Sequence, residues 1–176
     1  MSNAKVEKCT TKEALINQEI LKELFHCDPN EGILRWNKSG SGRKAGGIAG
    51  TKQRGYIKVR INSVEYFAHR LIWVYFMGSF PKNQLDHINR IRDDNRLCNL
   101  RDCTSAENHQ NRSMSIKNKT GFTGVSLFKR TGKYVAAMRI NGKVVNLGHY
   151  ETIGEAAAVY SAAKAKFHPF SSNKTE

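Results

Sequence analysis

The part of this chain best suited to chemistry is a run of Asp, His and Asn residues at positions 85–111. Asp86 and His87 are adjacent, Asn99 follows twelve residues after His87, and Asn108 follows nine residues after Asn99. Carboxylate and amide oxygens suit a hard divalent cation, and an imidazole can accept a proton near neutral pH. The residue types and their order therefore predict a small hydrolytic centre built around one metal ion.

The segments around this run predict a strand, a loop, a second strand and a helix. Residues 85–88 read as a short strand with apolar flanks, residues 89–97 are polar and turn-rich, and residues 99–101 return as the partner strand. Thr104 with Glu107 matches a capping box, which begins a helix. Asn108 lies in the first turns of that helix. We expect this order to bring the Asp-His pair and that Asn within reach of one point.

The preceding residues predict a helix, a strand, a hairpin and a second helix. Apolar residues at helical spacing predict a helix over 11–26, capped by Thr10 or Thr11. His69, at the start of the second helix, is expected to be a structural histidine or a residue near the metal. The other predicted elements are a strand over 33–36, a hairpin with strands at 56–61 and 64–68, and a buried helix over 69–77 that ends at Gly78 and Pro81.

Charge points to a polyanionic partner. The chain of 176 residues carries a net charge of +14, which suits nucleic acid or an acidic membrane surface. Residues 86–112 hold five Lys/Arg and five Asp/Glu, whereas residues 1–85 hold 14 and 7 and residues 113–176 hold 10 and 3. The candidate site is thus locally neutral between two basic segments, as expected of a metal site flanked by DNA-binding surfaces.

A glycine-rich basic loop over 37–55 is the main N-terminal candidate for DNA contact. Residues 32–64 contain eight Lys/Arg and no acid. Two interpretations remain open: a flexible, solvated loop, or an arm whose backbone approaches the phosphates. In the second case the expected DNA contacts, together with cations on neighbouring elements, are Arg43, Lys44, Lys52, Arg54, Lys58, Arg60, Arg70 and Arg112.

Neither a membrane nor a zinc ion is expected as a partner. No apolar run approaches the roughly 20 residues of a membrane span, and no secretory leader opens the chain, so we expect a soluble, cytoplasmic protein. The cysteines at positions 9, 27, 98 and 103 form no CxxC pair. A zinc site would need Cys98 and Cys103 together with His87 and His109, and that spacing is not typical of zinc.

The C-terminal third predicts a second unit. After a polar linker over 113–119, strands are predicted at 124–129, 134–140 and 144–147, joined by glycine-containing turns. A capping box at Thr152 precedes an Ala-rich helix over 155–167. Alternate residues of the middle strand, from Tyr134 to Ile140, would face that helix. The result is a three-stranded sheet covered on one face.

The central segment resembles the HNH nuclease family, in the branch related to phage intron-encoded homing endonucleases. The resemblance covers residues 66–112 and is carried by HRLIW, DHIN, DNRLCNL and CTSAENHQNR. It implies a ββα-metal fold and one Mg²⁺ or Mn²⁺ ion held by Asp86 and Asn108. It makes His87 the general base that activates water. Structural roles at the site would fall to Asn99, which would brace the loop and keep His87 oriented, and to Asn95 and His69.

The C-terminal unit resembles the plant ethylene-response-factor (Apetala) DNA-binding domain. The matching landmarks include Gly124-Val125, Leu147-Gly148 and Tyr150-Glu151-Thr152. In that family the exposed sheet face enters the major groove. The corresponding positions mostly lack the Arg and Trp of plant proteins, so backbone contact is expected rather than reading of the plant target. The candidates are Ser126, Phe128, Lys133, Arg139 and Asn146.

Together these features predict an α+β chain that cuts double-stranded DNA as a monomer or weak dimer, with no small-molecule substrate. The expected divisions are a tag remnant at 1–4, a nuclease domain at 5–112 with its ββα core at about 84–112, the linker, a DNA-binding domain at 120–170, and a tail at 171–176. The expected activity is homing-type cleavage. The alternatives are a restriction endonuclease and a DNA-binding regulator with a degenerate nuclease centre.

Overall fold

The computed structural model describes residue 13 and residues 15–111 and 118–171. Several predicted features lie outside these ranges: the tag remnant, the caps at Thr10 or Thr11, the Arg112 contact, and most of the linker and tail. The chain divides into two compact units between Cys103 and Thr104. Helices and small antiparallel sheets make up both units, which confirms the predicted α+β class. No helix in the described ranges is long and apolar enough to cross a membrane.

The first unit combines two β-hairpins with a three-stranded antiparallel sheet of order β3-β4-β5. The hairpins are β1–β2 and β6–β7. A short 3₁₀ turn at Leu97–Asn99 precedes the last strand. The elements are α1 Gln18–Leu24, β1 Phe25–Asp28, β2 Ile33–Trp36, β3 Thr51–Gln53, β4 Tyr56–Ile61, β5 Val64–Phe67, α2 Ala68–Met77, β6 Gln84–His87 and β7 Leu100–Cys103.

The core of this unit is built from side chains of both helices, the three-stranded sheet and the two hairpins. Val59 of β4 is fully buried, and α2 contributes further fully buried side chains such as Leu71 and Ile72. Each such aliphatic side chain contributes about 1.5–3 kcal/mol on burial. The predicted stop at Gly78 is confirmed, because this residue has φ +82°, a conformation that glycine adopts readily.

The N-terminal helix is shorter than predicted. It begins after Asn17, whose side chain accepts a hydrogen bond from Ile20 N at 2.8 Å, and it ends at Leu24. Phe25 instead opens β1, where its fully buried ring packs 4.5 Å from that of Trp36 on β2. The prediction of one helix over 11–26 is therefore wrong at residues 15–17, which are not helical, and at its end, because apolar spacing alone does not show that Phe25 packs within a hairpin.

The basic loop over 37–55 is tied to β2 and contains a strand that the sequence did not predict. Trp36 N donates to Gly47 O at 3.0 Å, and Ala49 N donates to Leu34 O at 2.8 Å. Its last part is β3, which pairs with β4. All three β3 residues are exposed, so this strand has no apolar face from which it could have been predicted.

The second unit packs one long helix on a three-stranded antiparallel sheet of order β10-β9-β8. Its core includes Ala136 and Met138 from the middle strand and Ala156 and Tyr160 from the helix. This confirms the predicted strands, turns and covered face, although the bounds differ. The first strand is one residue shorter at each end, the middle strand begins one residue earlier, the third strand is longer by one residue at its start and three at its end, and the helix begins two residues earlier. The elements are α3 Ser105–Gln110, β8 Val125–Phe128, β9 Lys133–Ile140, β10 Lys143–Tyr150 and α4 Ile153–Phe167.

Candidate active site

Asp86 and His87 are the last two residues of β6, which pairs with β7 in an antiparallel hairpin. The register sets Asp86 opposite Arg101 and His87 opposite Leu100. Apolar Leu100 is 5 % exposed and belongs to the core of the first unit. Because one strand of the hairpin is anchored in the core, the end of the other holds the Asp-His pair on a rigid element.

The Asp86 carboxylate is paired with Arg101. Arg101 donates two hydrogen bonds to Asp86 Oδ2, from Nε at 3.1 Å and from Nη2 at 2.7 Å. Only 12 % of the Asp86 side chain and 18 % of the Arg101 side chain are exposed. The pair orients the carboxylate and compensates its charge in a partly dry environment. Arg101 was not among the predicted site residues, although the register of the predicted hairpin could have identified it.

The His87 ring is buried and contacts Asn95. His87 is 5 % exposed and Asn95 is 3 % exposed. The ring atom Nε2 lies 3.0 Å from the amide oxygen Oδ1 of Asn95. This is a direct contact from the loop to the candidate base.

Asn99 braces the loop that joins β6 to β7. Its amide oxygen accepts a hydrogen bond from Asn89 N at 2.9 Å, and its amide nitrogen donates to the Asp94 carbonyl at 2.7 Å and to the Asn89 side-chain oxygen at 3.0 Å. Asn99 is 6 % exposed. These bonds join the two ends of the loop, so they hold it closed after the Asp-His pair.

Asp94 adds a second, charged brace that the sequence did not predict. It accepts two hydrogen bonds from Arg96, at 2.7 and 2.6 Å, and one from the Asn89 amide at 2.6 Å. Against the opposing effect of burial, the Arg96 hydrogen bond lowers the pKa of Asp94 to about 2. The Asp94 carboxylate therefore stays ionised at neutral pH, and its hydrogen bonds continue to support the loop.

The turn between β1 and β2 supports the same loop from the side. Leu97 N donates to Pro29 O at 2.9 Å. Gly32 has φ +65°, and a Cβ placed on it would lie 2.3 Å from both Arg96 N and the Asn95 carbonyl carbon. Two stretches of backbone therefore meet at Gly32 without room for a side chain.

His69 lies next to the candidate base but is buried and neutral. It is 7 % exposed, and its ring stands edge-on to that of His87 with centroids 5.0 Å apart. Its Nδ1 has no hydrogen-bond partner among the described residues. Burial, aided by the nearby charges of His87 and Arg70, lowers the pKa of His69 from 6.5 to about 3.

This depressed pKa predicts an acid-sensitive first unit. Above pH 6.5, the pKa in the unfolded chain, His69 is neutral in both states and does not lower the free energy of unfolding. As pH falls from 6.5 towards 3, the unfolded chain binds a proton that the folded protein does not, so the free energy of unfolding decreases. We expect a loss of about 2–3 kcal/mol by pH 4.5 from this group. The variant His69→Phe should show a flatter profile over that range. Urea unfolding followed by Trp36 and Trp73 fluorescence measures it, because both tryptophans of the chain lie in this unit.

Exposed His26 on β1 offers the matched control for this measurement. The variant His26→Asn should keep the pH profile of the wild type. Equal slopes for wild type and His69→Phe between pH 6.5 and 4.5 would contradict a neutral, buried His69.

Asn108, the other predicted metal ligand, lies on α3 of the second unit, where it is partly buried. The capping box that begins this helix is present: Thr104 N donates to Glu107 Oε2 at 2.7 Å, and Glu107 N donates to Thr104 Oγ1 at 3.3 Å. A carboxylate oxygen from Asp86 and an amide oxygen from Asn108 are donors suited to Mg²⁺ or Mn²⁺. In the described ranges no three His, Cys, Asp or Glu side chains form a metal-binding group.

Several predicted DNA contacts have partners within the protein, either an aromatic ring or a carboxylate. Arg43 lies 4.4 Å from the Trp36 ring, and Arg70 pairs with Glu13. Exposed pairs contribute only about 0–1 kcal/mol each, so phosphates can displace them at little cost. The other pairs are Lys52 with Asp93 at 2.5 Å, Lys58 and Arg60 with Glu65 at 3.4 and 3.2 Å, and Lys133 with Glu151 at 2.6 Å.

This chain was compared with protein families, curated proteins and solved structures. Searches of curated proteins and of solved structures found no match. The family model described as HNH endonuclease matches residues 66–110, a stretch from the end of β5 to α3. It includes the Asp-His pair, the bracing Asn of the loop and the Asn of α3. Residues 66–110 are thus similar to an HNH endonuclease domain, and this match supports a nuclease that hydrolyses DNA.

Proposed function

We propose that this protein is a metal-dependent, homing-type endonuclease that cuts double-stranded DNA. The observation that carries the proposal is the Asp86-His87 pair at the end of β6, within the stretch that matches the HNH model. A buried imidazole beside a partly buried carboxylate supplies a proton acceptor and a hard ligand at one point of the fold. We further propose that it acts in the cytoplasm, as a monomer or weak dimer.

In the proposed reaction His87 takes a proton from a water molecule. The water oxygen then bonds to phosphorus, the bond from phosphorus to the 3′ oxygen breaks, and that oxygen takes a proton from solvent. The products carry a 3′ hydroxyl and a 5′ phosphate. Asp86 and Asn108 would hold the divalent cation, Mg²⁺ or Mn²⁺. When bound, the ion supplies compensating charge for the phosphate and the departing oxygen.

Other residues would keep this centre in shape. Arg101 orients the carboxylate of Asp86 through the two hydrogen bonds to Oδ2. Asn99 holds the loop closed through its three hydrogen bonds. Preorganised groups of this kind are what a hydrolytic site needs, because a small misplacement of the base or the ligand lowers the rate.

We also propose that the second unit binds DNA in the manner of an ethylene-response-factor domain. Its helix covers one sheet face through Ala136 and Met138, and polar side chains occupy positions of the strands outside that core. Arg139 is exposed on the middle strand. The remaining candidate contacts on this sheet are Ser126, Phe128, Lys133 and Asn146.

Removal of a phosphate contact should weaken the dependence of DNA affinity on salt. For Arg139→Ala we expect the slope of log K against log salt to fall by about 1, because one fewer counterion is released on binding. A titration of labelled duplex DNA at several salt concentrations measures it. Lys166→Ala, on the helix that covers the sheet, is the control and should leave the slope unchanged. Equal slopes for Arg139→Ala and wild type would contradict the proposed contact.

Incubation of supercoiled plasmid with the full chain tests the proposed activity. We expect nicked or linear DNA in Mg²⁺ or Mn²⁺ and intact plasmid in EDTA. Ligation of the nicked product should succeed without further treatment, since ligase requires the 3′ hydroxyl and 5′ phosphate of the proposed reaction. Intact plasmid in every divalent metal would refute the nuclease proposal and favour a DNA-binding regulator.

A further inference from the structure

Asn95 stands out among the loop residues because its side chain is buried against the candidate base. It is 3 % exposed, and its Oδ1 lies 3.0 Å from His87 Nε2. The bracing residues Asn89, Asp94 and Asn99 bond to one another and to the loop backbone. Asn95 instead directs its amide at the imidazole. Its role therefore differs from that of the braces.

The contact has a consequence for the protons of the ring. An amide oxygen can only accept a hydrogen bond, so the ring must donate from Nε2. In a neutral imidazole only one nitrogen carries a proton, and the bond made by one nitrogen decides the state of the other. With the proton on Nε2, the lone pair resides on Nδ1.

The position of Asn95 is set from outside the loop as well as from within it. On one side, the Asn95 carbonyl carbon lies where a side chain at Gly32 would have to go. Two residues further on, Leu97 N donates to Pro29 O. The turn between β1 and β2 therefore fixes the backbone that carries this amide, and the amide is held against the ring.

We propose that Asn95 is a positioning residue, which holds His87 in the tautomer protonated on Nε2 and so makes Nδ1 the atom that takes the proton from water. An O–H bond of the water breaks and an N–H bond forms at Nδ1. The ring then carries protons on both nitrogens until it releases one to solvent. This inference rests on the proposed role of His87 as general base.

Imidazole nitrogen spectra of the full, ¹⁵N-labelled chain test the inference directly. The metal-free protein is recorded at pH 8.5 as wild type, Asn95→Leu and Asn95→Asp, and the His87 signals are assigned by their loss in His87→Gln. Leucine keeps the size of the side chain and removes the acceptor, whereas aspartate keeps an acceptor and has no donor. Single-turnover cleavage and DNA affinity are measured on the same proteins.

We expect the His87 ring to carry its proton on Nε2 alone in wild type and in Asn95→Asp. In Asn95→Leu we expect a mixture of the two tautomers. Cleavage by Asn95→Leu should fall about 10- to 100-fold, the range known for residues that orient a metal-binding histidine, with unchanged DNA affinity. Cleavage by Asn95→Asp should stay closer to wild type than that by Asn95→Leu.

A wild-type ring protonated on Nδ1 overturns the inference, whether or not the variants fold. An unchanged tautomer and rate in Asn95→Leu also overturn it. Failure of the underlying function shows differently: His87→Gln would then cleave as fast as wild type, whatever tautomer the spectra record.

Discussion

Replacing His87 by alanine should lower the rate of DNA cleavage by about 10²–10⁴-fold, the usual contribution of a general base. His87 is buried at the end of β6, beside Asp86 and against Asn95. Its removal leaves the water without a proton acceptor, but it removes none of the basic residues proposed to bind DNA. Single-turnover cleavage of supercoiled plasmid in Mg²⁺ measures the rate, and a binding titration in EDTA should show unchanged DNA affinity.

The matched control is His26→Ala, which removes an exposed imidazole from β1 of the same unit. It should cleave at the wild-type rate. If His87→Ala cleaves as fast as wild type, the base is misassigned. A parallel loss of affinity and rate would mean that His87 contributes to binding and not to the chemical step.

The second large effect is expected at Gly32, far from His87 in sequence. A Cβ at this position would lie 2.3 Å from two backbone atoms, Arg96 N and the Asn95 carbonyl carbon, and the residue has φ +65°. Backbone cannot move aside as the end of a side chain can. For Gly32→Ala we expect a loss of about 2–4 kcal/mol in the free energy of unfolding of the first unit, from overpacking and from the left-handed conformation.

Cleavage should suffer more than stability alone explains in this variant. The displaced backbone carries Asn95, so we expect a lower single-turnover rate even at temperatures where Gly32→Ala is fully folded. Gly42→Ala is the control, since Gly42 has φ +70° and no atom within 4 Å of the added Cβ. It should lose only about 1–2 kcal/mol at most and none of the rate. Similar losses in the two variants would mean that the contact between the turn and the loop is unimportant.

The elements that could be predicted from sequence are those specified by local chemistry. The capping box of Thr104 and Glu107 predicted where α3 begins, because its two hydrogen bonds involve neighbouring residues. The β4–β5 hairpin, predicted with strands at 56–61 and 64–68, is present with nearly the same bounds. The same holds for the strand with Asp86-His87, whose apolar flanks indicated a short strand. In each case the signal and the structure that it specifies lie within a few residues.

The contacts that shape the site were not predictable, because they join distant segments. Nothing in the sequence near Asn95 indicates that a turn at 28–32 supports it, and the reason for Gly32 is visible only where two backbones meet. Phe25 was misplaced for a similar reason, since its partner Trp36 lies across a hairpin. Apolar spacing predicts that such a residue is buried but not what buries it.

Asp86→Asn tests the central claim most directly, because it changes one oxygen ligand and keeps the shape of the side chain. Its rate of plasmid nicking is compared with wild type over a range of Mg²⁺ concentrations. Asp93→Asn is the control, since this carboxylate pairs with Lys52 on the exposed side of the loop. If Asp86 and His87 form a metal-dependent hydrolytic centre, Asp86→Asn loses roughly 10²-fold or more in rate, while Asp93→Asn does not. Nicking by Asp86→Asn at the wild-type rate, or by wild type in EDTA, would contradict the account.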